Sequence, residues 1–134
     1  MSGDVDLVRA YIEASQLARN THTPKDIAAV RAFLADDVTI RMASAWTDQP
    51  WRVVSTSADQ LVKRLQAPIN ASTSLTTENT NVVQAGPDVL VEQLSTITRD
   101  GRSHVSMVCH IFTVEDGHIR AIRAYRNDDG VPPG

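Results

Sequence analysis

The chain has 134 residues, of which 42% are hydrophobic, 22% charged and only 4% aromatic, a length that fits one domain spanning residues 1–134 rather than two. Thirteen Lys and Arg against sixteen Asp and Glu give a formal charge of −3, which argues against a surface built to neutralise many phosphates, so nucleic acid is not an expected partner. A single cysteine, Cys109, excludes an intrachain disulfide, and neither a bilayer-length apolar run nor a basic start followed by a hydrophobic stretch is readable; a soluble protein in a reducing, cytoplasmic setting is expected, with no membrane partner.

From Asp4 to about Asn20, Leu7, Val8, Tyr11, Ile12, Ala14 and Ala18 follow the 3.6-residue period, with Arg9, Glu13 and Arg19 off the stripe, which predicts an amphipathic helix. Thr23-Pro24-Lys25-Asp26 reads as an N-cap, a proline at the first helical position and an acid in the first turn, and opens a second helix through Ile27, Val30, Phe33 and Leu34. Asp36-Asp37 is expected to end it, and Val38 to Ala43 alternates in bulk as a strand. A polar loop with Trp46, Pro50 and Trp51 comes next, and then Ser57-Ala58-Asp59-Gln60, a capping-box pattern, starts a third helix that Pro68 stops.

Everything after residue 72 reads as sheet: Thr73 to Gln84, Val89 to Arg99, Ser103 to Glu115 and His118 to Asn127. Gly86-Pro87-Asp88, Asp100-Gly101 and Asp116-Gly117 separate these runs, and turns this short demand antiparallel neighbours. Helices first and a meander afterwards define an α+β fold.

Three segments together resemble the nuclear transport factor 2-like superfamily, which includes the ketosteroid isomerases and the SnoaL-like polyketide cyclases. They are Arg9-Ala10-Tyr11-Ile12-Glu13, Phe33-Leu34-Ala35-Asp36-Asp37-Val38, and His110 to Ile119 continuing through Tyr125. The resemblance covers essentially the whole chain. It implies a cone-shaped, curved, mainly antiparallel mixed sheet wrapped around three helices from the N-terminal half, an apolar pocket open at one end, and a homodimer through the outer sheet face.

In the ketosteroid isomerases a tyrosine of the first helix and a protonated aspartate stabilise an oxyanion while a second aspartate is the base. Tyr11 matches the tyrosine, and is the candidate catalytic residue. Met42 falls where the base belongs and Cys109 where the second donor belongs, so steroid-type isomerisation is not expected: a thioether accepts no proton at neutral pH, and a thiol is a weak donor. The Asp-Arg-Asp set of limonene epoxide hydrolase and the paired tyrosines and histidines of scytalone dehydratase are not found either.

Placing Cys109 inside puts Met107 and Ile111 beside it by strand alternation, with Gln93, Ser95 and Ile97 from the preceding strand and Ile122, Ala124 and Arg126 from the last. His110 then belongs to the outer face with Phe112, so it cannot activate Cys109 as a nucleophile. Trp46 and Trp51 either rim the pocket or plug its wide end, and Arg126 could pair a ligand carboxylate or be taken by Asp128 and Asp129. The expectation is therefore a SnoaL-like protein that holds a small, apolar, oxygenated molecule against Tyr11, Met42, Trp46, Trp51, Gln93, Ser95, Met107, Cys109 and Arg126, with no metal and no cofactor, any chemistry being that of an isomerase, cyclase or dehydratase; the alternative is a non-catalytic ligand-binding or dimeric scaffold protein of the same fold.

Overall fold

The computed structural model describes residues 3–43, 52–66 and 73–127. The apolar stripe at the start forms α1 (Gly3–Thr21), which buries Val8, Tyr11, Ile12 and Ala18. It ends where His22 takes a left-handed φ of 53° and donates its N–H to the Ala18 carbonyl at 3.0 Å, closing the helix on itself. Thr23 then caps α2 (Pro24–Arg31), its hydroxyl accepting the Asp26 N–H at 3.3 Å. The Asp26 carboxylate in turn accepts the hydroxyls of Thr21 at 2.6 Å and Thr23 at 2.8 Å, and these bonds hold it below the usual carboxylate range.

The second helix is shorter than its periodicity predicts. It stops at Arg31, and β1 (Leu34–Ala43) begins before Asp36-Asp37, which sit exposed within the strand instead of ending the helix. Arg31 bonds both Asp36 at 3.1 Å and Asp59 at 3.0 Å, a surface pairing that joins α2, β1 and α3 (Ala58–Gln66) without adding much stability. One element is not foreseen by the sequence: β2 (Arg52–Ser55), a four-residue strand too short to carry a period. The third helix starts as its capping pattern requires, with Ser57 Oγ accepting the Gln60 N–H at 3.2 Å while the Gln60 side chain accepts the Thr56 N–H at 2.7 Å.

The last four strands, β3 (Thr73–Ala85), β4 (Asp88–Arg99), β5 (Arg102–Glu115) and β6 (His118–Asn127), form the meander. Six strands make one sheet in the order β2-β1-β6-β5-β4-β3, in which β1 runs parallel to β6 and every other pair is antiparallel. At Asp100-Gly101, φ values of 53° and 77° fit a two-residue turn that matches the right-handed strand twist. The sheet is open and curled, and the helices cover its concave face. This is the α+β cone the resemblance implied.

The core lies between α1 and that face. Val8, Val38, Val89, Val91 and Ile119 are fully buried, and Phe112 is 1% exposed. No helix among the described residues is long and apolar enough to cross a membrane. Truncating Phe112 should cost about 3–5 kcal/mol through lost burial and an unfilled cavity, whereas Val105→Ala, on an exposed strand position, should stay within about 0.5 kcal/mol of wild type. Urea unfolding followed by circular dichroism measures both; equal losses in the two variants would show that α1 does not close over the sheet as described.

Candidate functional site

Strand register decides which side chains face the helices. Residues directly paired across an antiparallel ladder share a face, and β4 pairs with β5 without interruption from Asp88↔Thr113 to Arg99↔Arg102. Odd-numbered β4 residues therefore share a face with even-numbered β5 residues. The buried odd positions Val89, Val91, Gln93 and Ser95 fix this as the inner face, and opposite them stand Phe112, His110, Val108 and Ser106. The rows continue onto the neighbouring strands: Phe112 pairs with Ile122 and Ile122 with Ile40, His110 with Ala124 and Ala124 with Met42, and Val108 with Arg126.

Tyr11, Met42, Gln93, Ser95 and Arg126 thus share the interior, as expected. Met107 and Cys109 do not. They are on the outer face, Cys109 between Glu92 and Tyr125, and His110 and Phe112, expected outside, are inside. The expected assignment fails because it pairs odd β5 positions with odd β4 positions, which a two-residue hairpin turn forbids. Burial and the neighbouring Glu92 carboxylate raise the Cys109 thiol above its ordinary range, so it is a poor nucleophile where it stands. An open depression of about 500 Å³ lies at this place, lined by Ala43, Glu92, Met107, Cys109 and Tyr125 with Val108 and Arg126. Trp46, Trp51, Asp128 and Asp129 lie outside the described residues.

Tyr11 is 7% exposed and wedged edge-on between Phe33, at 6.5 Å, and Phe112, at 5.7 Å. Phe112 in turn packs against His110 with ring centroids 5.6 Å apart. Helix geometry carries the line onward. Residues 11, 15 and 19 lie one above another on α1, about 6 Å apart by the helical rise, and alternate residues of a strand advance by about 6.6 Å. Ser15 and Arg19 consequently succeed Tyr11 along the concave face as His110 and Val108 succeed Phe112 along β5. The far half of α1 is tied down by Gln16, which accepts the Thr77 N–H at 2.8 Å, and by Asn20, which accepts the Leu75 N–H at 2.7 Å.

The electrostatics agree with this placement. Burial raises the Tyr11 phenol above its ordinary range, while the Arg19 charge and a hydrogen bond with Ser15 oppose that rise. Burial lowers Arg19, which Tyr11 partly restores, and Arg64 and Arg126 push it down further. Helical side chains lean towards the N-terminus, so a guanidinium at position 19 reaches back towards the phenol. His110 is held at about 4 by burial first and then by the charges of Arg126 and Arg19. Its imidazole is neutral at physiological pH, and its buried Nδ1 has no hydrogen-bond partner among the described residues. Gln93, 2% exposed, donates to Asn79 Oδ1 at 2.9 Å.

Three residues of this cluster escape a reading of the sequence. The signal for Ser15 and Arg19 is their spacing of four and eight residues from Tyr11, which a search for apolar positions alone passes over. The signal for His110 is the Asp100-Gly101 turn, which sets the β4–β5 parity. Along the described inner rows from Phe112 to Ser106, and along the 11-15-19 stripe, no position is an aspartate or glutamate.

Comparison with known proteins fits this architecture. None of the curated proteins compared matches the chain. Among solved structures it is similar to a limonene epoxide hydrolase-like epoxide hydrolase of Mycobacterium tuberculosis, at 19% identity and a TM-score of 0.73 over 94% of this chain and 84% of that one. It is also similar to a candidate polyketide cyclase of Xanthomonas campestris pv. campestris, at 23% identity and a TM-score of 0.70 over 92% and 90% of the two chains. A third, a nuclear transport factor 2-like protein of Anabaena variabilis, is 14% identical with a TM-score of 0.71 over 99% and 96%. Identities this low speak for the fold. The model of the SnoaL-like domain matches residues 8–122, from the buried Val8 of α1 to Ile122 on the inner face of β6, and the chain belongs to the SnoaL-like domain family.

Proposed function

We propose that the protein binds a small, largely apolar, oxygenated metabolite on the concave face of the sheet and acts on it by cofactor-free acid/base chemistry of the isomerase, cyclase or dehydratase kind. The observation that carries this reading is the placement of Tyr11, Arg19, Gln93 and His110, with the smaller polar side chains Ser95 and Ser106, on an inner face that is otherwise mainly apolar. Tyr11, raised above its ordinary range, stays protonated and donates to a ligand oxygen; neutral His110 offers a nitrogen that can take a proton; Gln93 orients. Met42 and Ala124 supply apolar contact in the same row as His110. A cytoplasmic location is part of the same proposal.

The outer face favours a second role, self-association. Val83, Met107 and Tyr125 are 47%, 42% and 38% exposed there, next to partly buried Leu94, Cys109 and Ile111. In the non-catalytic reading this homodimer is the product of the fold and the interior is only its core.

Four measurements test these readings. Tyr11→Phe, which keeps the ring packing, should weaken binding or turnover of an apolar oxygenated ligand about two- to tenfold while costing no more stability than the lost hydrogen bond with Ser15, about 1 kcal/mol; unchanged affinity and turnover would favour the scaffold. Imidazole signals of His110, followed by NMR, should remain those of the neutral ring down to about pH 5 and titrate near 4. Because unfolding restores an ordinary value of about 6.5, the unfolded chain binds the extra proton, and stability should fall as pH drops from about 6.5 to about 4, a loss that His110→Gln diminishes. In light scattering the wild type should have the mass of a dimer and Met107→Asp that of a monomer; a monomeric wild type removes the self-association role.

A further inference from the structure

The stripe that reaches into the cone is inverted relative to what stability alone would select. On α1, Leu17 is 51% exposed, while Arg19, two residues on, is partly buried on the Tyr11 stripe, within electrostatic reach of the phenol. Exchanging the two would place the apolar side chain in and the cation out. A guanidinium even partly removed from water is ordinarily paired, because an unpaired charge at low dielectric is costly. Arg19 makes no ion pair among the described residues, and the electrostatic neighbours that bear on it are Tyr11, Arg64 and Arg126. His110 repeats the pattern from β5, with a buried Nδ1 that lacks a partner among the described residues. Such local violations of patterning are expected where a ligand completes the structure.

We propose that the ligand of the cone carries a carboxylate, and that this group docks between the Arg19 guanidinium and His110 Nδ1 while the apolar remainder lies along Met42 and Ala124. The proposal rests on the binding site proposed above and names the ligand class for it. Arg19 can hold both carboxylate oxygens in its planar fork. His110 accepts a proton as the anion arrives, because the arriving charge offsets Arg19 and Arg126, the two cations that hold it neutral. Tyr11 Oη then remains for the oxygen of the reacting part of the molecule. The groups around His110 are Arg19 from α1, Val91 from β4, Phe112 from its own strand, and Ala124 and Arg126 from β6, with the Tyr11 ring on the neighbouring Phe112. Arg126 contributes only as a nearby positive charge.

Calorimetric titration of the full chain with arylalkyl carboxylates, phenylacetate to phenylhexanoate, and with the matching primary alcohols tests the assignment. The best carboxylate should bind about ten- to a hundredfold more tightly than its alcohol, more tightly at pH 5 than at pH 8, and saturation with it should move the His110 titration upward. Arg19→Met should remove the preference and leave the alcohol's affinity within about twofold, and Arg19→Lys should restore part of it. Alcohols that bind as well as acids to the wild type would overturn the carboxylate assignment and leave the binding site standing. Failure of both series to bind would overturn both. The acid-to-alcohol ratio and the His110 shift are read on the wild type, so a poorly folding variant does not remove the test.

Discussion

The whole molecule depends on one contact, the seating of α1 across the concave face of the sheet. Val8 is fully buried in it, and Tyr11 closes an aromatic chain that runs from Phe33 at the entrance to β1, through Phe112, to His110 on β5. An edge-on ring is rigid, with two side-chain torsions, and it fixes both the height and the rotation of the helix. Once the rotation is fixed, Ser15 and Arg19 have no choice of direction, because they lie on the same stripe. The same contact that supplies burial therefore also delivers a phenol and a guanidinium to the interior. Packing and chemistry cannot be varied independently along this stripe.

The fold is legible because its signals are local. The first apolar stripe, the Thr23-Pro24 and Ser57 starts, and the Asp-Gly turns each depend on a few adjacent residues, and each appears where expected. The expectations that fail are longer in range. Asp36-Asp37 look like a helix end, but α2 has already stopped at Arg31 because β1 takes up the chain at Leu34 to pair with Ile119, whose N–H donates to the Phe33 carbonyl at 2.8 Å. Parity on β5 is available from the Asp100-Gly101 turn. Parity on β6 is not: between Val114↔Ile119 and Thr113↔Ala121 the register slips by one residue at Arg120, so an even position of β5 comes to face an even position of β6. A single bulge of this kind exchanges the faces of everything beyond it. For that reason Ile122, Ala124 and Arg126 are inside as expected, although the Cys109 placement behind that expectation is reversed.

The parity of β5 decides the chemistry of the interior as well as its geometry. With Cys109 and Met107 inside, the interior would have been almost unionisable, a container for an apolar molecule and little else. With His110 and Arg19 there instead, it holds a titratable nitrogen and a cation at low water content, where each influences the other strongly. Neutral His110 is the direct consequence. In water the same ring would be partly protonated near pH 6.5, whereas here burial and two guanidiniums keep it a free base, and the described interior rows carry no carboxylate to reverse that.

A cation in the last turn of a helix has an ordinary explanation, since the partial negative charge of the carbonyl end attracts it, and Arg19 does stand in the last turn of α1. That attraction is worth about 0.3–1 kcal/mol at a surface and is satisfied as well by a side chain that points to solvent. It accounts for the presence of a basic residue but not for its direction. Asn20, its neighbour, is exposed and commits its amide to both backbone groups of Leu75, so the end of α1 is already anchored to β3 without Arg19. The helix end needs a cation only in its vicinity, yet this one is partly buried on the inner stripe, within electrostatic reach of the phenol two turns back. What the dipole leaves unexplained is the inward turn, and the inward turn is the part that a bound anion would make favourable.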